Sequence, residues 1–255
     1  MTYLKNIDDE LLKKEIIKFF ESAPKIYLPS ISINTVIFSF DGLKLKVLLL
    51  RFGNTTHLML PGGYVMKEEP VDDAARRILQ TTTNLNPTYL DQFYTSGSTP
   101  RTDESIIEKT LQTLAGDIPH PNWFSQRFVS VCYYAIVDEK KVNIVPDPFS
   151  TEYKWVDTKK VPKLLFDHSF IIKKAINALQ TDIEQKMIAP TLLDEPFTMN
   201  ELQNLYEAVF QKKLIRTNFQ RKMLSMNVLE RLEKRYSGKA HKAPFVYRFV
   251  NSKRS

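Results

Sequence analysis

A single cysteine stands in 255 residues. No disulfide can close within the chain, and a cysteine-rich zinc site is excluded. Cys132 itself lies in an apolar strand pattern and reads as core. No apolar run approaches the roughly 18 residues of a membrane span. Met1–Lys5 opens no signal-peptide core, so the expected compartment is the cytoplasm. Internal repeats and low-complexity tracts are missing as well. Aspartate is missing from residues 197–255. That stretch holds 13 of the 36 Lys/Arg residues and 4 of the 29 acidic ones, leaving 23 basic and 25 acidic residues to the rest. Such segregation predicts a nucleic-acid-binding module joined to a nearly neutral one, with a plain basic tail as the alternative.

What is present reads, in chain order, as an α/β layer structure. Leu11, Leu12, Ile16, Ile17 and Phe20 have helical spacing over residues 8–21, and Pro24 and Pro29 break the pattern. Strands over 32–40 and 43–51 are joined through Asp41-Gly42, a hairpin signal. The stretch 59–85 organises the chain. A strand enters Gly62-Gly63, whose backbone suits a tight turn, and a helix follows with Pro70 in its first turn and Asp72 and Asp73 at its positive end. Ala74, Ile78 and Thr81 share one face of that helix, and Ala75 and Leu79 the next. Further strands are expected over 89–96, 127–138 and 152–156. Between the first two, 98–125 reads as a weakly structured insertion with a short helical pattern around 106–114. Phe166-Asp167-His168 opens a long helix whose apolar side carries Ile171, Ile172, Ala175, Ile176 and Leu179. This order predicts an α/β sandwich around a mixed sheet.

Residues 188–196 read as a linker with two prolines, separating a domain over 1–187 from one over 197–255. Thr198 and Glu201 form a capping box, and Leu202, Leu205, Tyr206, Val209 and Phe210 an apolar helical stripe. After a polar turn, a second helix turns Phe219, Met223 and Leu224 inward. Strands over 228–235 and 245–249 flank a basic loop. Helix-turn-helix plus a basic-tipped hairpin is an α+β winged helix. Arg216, Asn218, Gln220, Arg221 and Lys222 are the candidate DNA contacts of its second helix, since Arg, Asn and Gln suit base edges. Lys239, His241 and Lys242 in the loop are candidates for phosphate or the minor groove; a solvated surface loop is the plain alternative.

Gly63, Glu69, Arg77, Leu79 and Leu85 have the spacing of the Nudix box, which the stretch resembles. Ile78, Thr81 and Thr82 stand where the three helix glutamates of that box belong, and Asn84 replaces its closing glycine. The resemblance implies a Nudix-like sandwich over residues 30–180. Mg²⁺ requires hard oxygen ligands, so these replacements predict no catalytic residues, no metal and no cofactor; Glu68 and Glu69 read as a solvated loop pair, with retention of one metal as the alternative. With Phe197-Thr198, Glu201-Leu202-Gln203, Leu205-Tyr206-Glu207-Ala208, Asn218-Phe219 and Arg221-Lys222, the chain resembles the Nudix-related transcriptional regulators. These include ADP-ribose-responsive repressors of NAD metabolism and sugar-responsive regulators such as those of arabinose use. The resemblance implies a homodimer on palindromic operator DNA, a small sugar or ADP-ribose-like effector, and no membrane partner. It makes Arg51, Glu69, Arg127, Asp167 and His168 candidate effector contacts. Asp167 and His168 could equally cap their helix, and Arg51 and Arg127 could be surface residues at strand ends. The 98–125 insertion departs from the shorter loop of the family and falls near the expected effector pocket. The alternative function is a Nudix hydrolase of ADP-ribose or another nucleoside diphosphate derivative with an appended nucleic-acid-binding domain, which the missing carboxylates disfavour. RNA binding is a third reading, disfavoured by the lack of exposed aromatic strand motifs.

Overall fold

The computed structural model describes residues 2–3, 9–53, 55–86, 89–99, 104–116, 118, 122–145, 147–235 and 243–250. In chain order the elements are β1 (Thr2–Tyr3), α1 (Asp9–Ile26), β2 (Tyr27–Phe40), β3 (Leu45–Phe52), β4 (Leu58–Met59), β5 (Gly62–Met66), α2 (Val71–Thr83), β6 (Tyr89–Ser96), α3 (Glu104–Ala115), β7 (Val129–Ile136), β8 (Ser150–Asp157), α4 (His168–Gln185), α5 (Ala189–Leu192), β9 (Phe197–Thr198), α6 (Met199–Phe210), α7 (Arg216–Ser225), β10 (Leu229–Lys234) and β11 (Phe245–Phe249). The main sheet runs β1-β8-β3-β2-β7-β6, with β4 on β3 and β5 on β2. It is mixed: β2 and β7 are parallel over Ile31↔Val129 to Phe38↔Ile136, and the other pairs are antiparallel.

Successive strand residues point to opposite faces, and here both faces are covered. Val36, Phe38, Val47, Leu49, Cys132 and Tyr134 pack toward α4. Their neighbours Ile33, Ile37, Leu48, Tyr133 and Ala135 pack toward α2, through Ala74, Ala75, Ile78 and Leu79. Burial on both faces explains why β3 reads as an almost continuous apolar run rather than an alternating one. Cys132 is fully buried. No described helix is long and apolar enough to cross a membrane.

Three local expectations change. Pro24 lies inside α1, which continues to Ile26. Pro29 lies inside β2, where the pairing with β5 slips between Tyr27 and Ser32 and Ser30 takes a positive φ of 63°; an irregular stretch tolerates a residue that cannot donate to the ladder. Thr81 is exposed, while Ala74 and Ile78 on its face are buried.

The last part of the chain is a winged helix: α6 and α7 beside a sheet of order β10-β11-β9. Thr198 caps α6 as its spacing predicts. Its hydroxyl accepts from the Glu201 amide at 3.2 Å, and Glu201 accepts from the Thr198 amide at 2.6 Å. One apolar core runs from the main sheet through α4 into this module, joining Val36, Leu49, Leu179, Leu202, Val209 and Phe219. Ile188, Ala189 and Leu192, on the segment between, are buried in it.

Candidate functional site

Two regions hold the candidate residues. The first is one end of the main sheet. The registers Phe38↔Val47, Asn34↔Gly62 and Ile31↔Val129 bring the end of β3, the start of β5 and the start of β7 to that end together. The tight turn expected at Gly62-Gly63 is not formed there: both glycines are the first residues of β5, paired with Asn34 and Ile33, and neither has a positive φ. Gly62 is required by close approach of backbone, while at Gly63 the neighbour is a side-chain end. A Cβ at Gly62 would lie 2.6 Å from the Ile33 carbonyl oxygen, and one at Gly63 would lie 2.9 Å from Ile78 Cδ1. Ile78 is buried and seated on Gly63 at the start of β5. A carboxylate there would have to be desolvated. Asn84 ends α2 in the left-handed conformation, φ 56°, with its amide donating to the Gln80 carbonyl at 2.7 Å. Asparagine tolerates this conformation, so it can stand where the box has glycine.

The turn after β5 is closed by one ion pair. Arg77 donates to both Glu69 oxygens at 2.7 Å and to the Tyr64 carbonyl at 2.8 Å, while Glu69 also accepts from the Met66 amide at 3.1 Å. The Arg77 guanidinium holds the Glu69 carboxyl below its ordinary range. Arg51, on β3, pairs with Glu152 of β8 at 3.0 Å. Arg127 donates to the Gly97 carbonyl at 2.9 Å, and next to Gly97 the Ser96 hydroxyl donates to Asp167. The adjacent His168, 3% exposed, accepts at Nδ1 from the Leu60 amide at 2.9 Å. That bond places the imidazole proton of a neutral ring on Nε2. Arg127, Asp167 and His168 therefore lie along one rim of the sheet end. Arg51 and Glu69 are each tied to their own partner, Glu152 and Arg77.

The described residues of the 98–125 insertion pack against this end. Its helix α3 packs on α1, and Trp123, 4% exposed, meets Tyr64 edge-on at 5.4 Å and Tyr27 at 6.2 Å. Burial raises the Tyr64 hydroxyl above the ordinary phenol range. A cleft of about 300 Å³ opens on the α2 side, lined by Asp72, Arg76, Leu90, Asp91, Gln92 and Tyr133, and contains none of the five candidate effector contacts. No group of three or more His, Cys, Asp or Glu side chains able to hold a metal occurs among the described residues.

The second region is α7. Phe219 and Met223 bury one stripe, with Phe219 edge-on to Tyr206 at 5.2 Å. Leu224 is 43% exposed, not inward as its apolar character suggests. One residue past Met223, it is turned about 100° away from the buried stripe. Arg216, Asn218 and Arg221 are exposed, and Gln220 is half-buried. Lys222 is exposed but paired with Glu184 of α4 at 2.6 Å. Lys239, His241 and Lys242 lie outside the described residues. The strands of the hairpin bring two cations that sequence reading passed over: Arg231 and Lys234 sit over the Phe245 ring at 4.5 and 5.2 Å. Their place opposite an aromatic follows from cross-strand pairing, which no local pattern announces.

Glu207 fastens the turn between α6 and α7. It accepts from Lys213 Nζ at 2.6 Å, the Leu214 amide at 3.0 Å and Gln203 Nε2 at 3.0 Å. These bonds, Lys213's first, bring its carboxyl from an ordinary 4.5 down to about 2. A depressed carboxyl contributes stability that is fully present above 4.5 and lost as pH falls toward about 2. Glu207→Gln is expected to lower the melting temperature most above pH 4.5, with the gap to wild type narrowing toward pH 2. A gap independent of pH in thermal denaturation would contradict that assignment.

The family model for the NrtR DNA-binding winged helix domain matches residues 189–249. No curated protein matches the chain. Among solved structures, Shewanella oneidensis NrtR is 23% identical with TM-score 0.61, over 87% of this chain and 94% of that one. The same protein complexed with a 27mer DNA is 25% identical with TM-score 0.61, over 86% and 93%. A MutT/nudix family protein from Enterococcus faecalis is 22% identical with TM-score 0.61, over 88% and 89%. The chain therefore has the architecture of the Nudix-related transcriptional regulators, a Nudix-like sandwich followed by an NrtR-type winged helix.

Proposed function

We propose that this protein is a DNA-binding transcriptional regulator whose Nudix-like domain senses a small effector and does not hydrolyse it. The observation that carries the reading is α7: Arg216, Asn218 and Arg221 stand exposed on the second helix of a helix-turn-helix within the matched segment. A helix so placed enters the major groove and reads base edges. The structure of Shewanella oneidensis NrtR with a 27mer DNA supports the same use of the module here. Two copies in a homodimer would address a palindromic operator in the cytoplasm.

The effector class proposed is ADP-ribose or a related sugar nucleotide, received at the sheet end where Arg127, Asp167 and His168 share a rim. Arg51 and Glu69 are held by Glu152 and Arg77, so an effector reaching them must compete with those pairs. At the helix positions where a Nudix hydrolase carries metal-binding glutamates, Ile78 packs on Gly63 and Thr81 bonds the Ile78 carbonyl at 3.0 Å. Neither supplies a hard anionic ligand to Mg²⁺.

The test joins both halves of the reading. Genomic fragments retained by the purified protein supply the DNA, and binding is titrated with and without ADP-ribose. An effector changes DNA affinity only if it binds the free and DNA-competent states differently. Expected are sequence-selective binding, a shift of that affinity with ADP-ribose or a related nucleotide sugar, and no turnover of ADP-ribose with Mg²⁺ or Mn²⁺ above background. Turnover lost on Glu69→Gln would instead establish the hydrolase.

A further inference from the structure

Helix α4 touches both functional regions. At its first residue, His168 Nδ1 holds the Leu60 amide at 2.9 Å, two residues before β5 begins at Gly62. Near its other end, two residues one turn apart grip the helix-turn-helix. Gln180 Nε2 donates to the Val209 carbonyl at 2.9 Å in the last turn of α6, and Glu184 pairs with Lys222 on α7 at 2.6 Å. From His168 to Glu184 the helix rises about 24 Å. A rigid element thus runs from the link between β4 and β5 to the flank of the second helix of the motif.

Lys222 is not at the centre of the outward face of α7. It lies about 100° round from Arg221, on the side turned to α4. The Lys222 and Glu184 side chains are 54% and 43% exposed, so the pair is open to solvent and to a competing anion. A DNA phosphate beside α7 offers the same charge and the same hydrogen-bond acceptors as Glu184.

We propose that Glu184 is an acidic competitor for Lys222: the ion pair ties α7 to α4 in the DNA-free protein, and Lys222 exchanges Glu184 for a DNA phosphate on docking. Glu184 is then a positioning residue, acting on DNA through Lys222. The proposal rests on the reading that α7 docks on DNA.

The exchange is independent of base sequence, so a short duplex of random sequence tests it. Affinity is measured over a salt series for the full-length wild type, Glu184→Gln, Lys222→Gln and the double variant, each checked for wild-type circular dichroism. Exposed ion pairs are weak, so Glu184→Gln is expected to bind about 2- to 5-fold tighter. Lys222→Gln should bind more weakly, with its salt slope reduced by about 1. In the double variant the gain should vanish, because the carboxylate acts through Lys222. A gain that persists in full without Lys222 would show plain repulsion of DNA by Glu184 and overturn the exchange. So would unchanged affinity of Glu184→Gln. Wild-type protein that binds no duplex would overturn the DNA-binding reading together with it, whereas binding that ignores Glu184 removes the exchange alone.

Discussion

Alanine at both Asn218 and Arg221 is expected to abolish selective DNA binding while leaving the fold intact. Both side chains are exposed on α7, and neither belongs to its buried stripe of Phe219 and Met223. Each lost base-edge contact costs about 1–3 kcal/mol. Were the two losses additive, the pair would cost about 2–6 kcal/mol, roughly 30-fold to 2 × 10⁴-fold in affinity. Arg221 Nη2 lies 3.5 Å from Asn218 Oδ1, so the two losses are expected to couple rather than add. The measurement is anisotropy of a fragment that the wild type selects from genomic DNA, against a shuffled duplex. Loss should concentrate on the selected fragment. Equal loss on both duplexes would assign these residues to the phosphate backbone, and no loss would remove α7 from the interface.

Phe197→Ala is expected to have the largest effect on stability, and to reach beyond its own module. Phe197 is 1% exposed, its ring lies 4.8 Å from that of Phe249, and it belongs to the core that also holds Val36, Leu49 and Leu179. Truncating such a ring costs about 3–5 kcal/mol through lost transfer energy and the remaining cavity. The chain has two tryptophans, Trp123 and Trp155, and both lie before α4. Their fluorescence therefore reports the sandwich and not the winged helix. If the continuous core couples the two, Phe197→Ala will lower the midpoint of the tryptophan transition, by about 2–4 °C for each kcal/mol lost. An unchanged midpoint, with early melting of the winged helix alone by circular dichroism, would show that they unfold independently.

The same contrast separates the candidate residues. The capping box at Thr198 and Glu201 was legible because both partners are three residues apart and their bonds are local. The motif at Gly63, Glu69 and Arg77 was legible as spacing, but its spacing carries no mark that Arg77 occupies both Glu69 oxygens. Asp167 and His168 opened a helix as expected. That His168 is buried against the Leu60 amide depends on a partner far along the chain. Lys222 read as one more exposed helical cation, and its distinct place comes from Glu184 on another element. The insertion over 98–125 showed its helical period. The face it covers could not be seen, because Trp123 meets Tyr64 and Tyr27 across three separate elements.

By itself the sequence determined what depends on period, spacing and charge composition. Apolar runs between turn residues specified the strands, helical spacing the helices, turn chemistry the hairpin at Asp41-Gly42, and the basic excess after residue 197 the character of the last module. Short-range forces within a few residues decide these features. The tertiary structure alone decided which polar groups are committed internally: Glu69 to Arg77, Arg51 to Glu152, His168 to Leu60 and Lys222 to Glu184. It also decided that the apolar faces of β2, α4 and α6 merge into one core. Contacts of this kind are set by how elements pack. A side chain's local pattern is the same whether its partner is a distant carboxylate, a ligand or water.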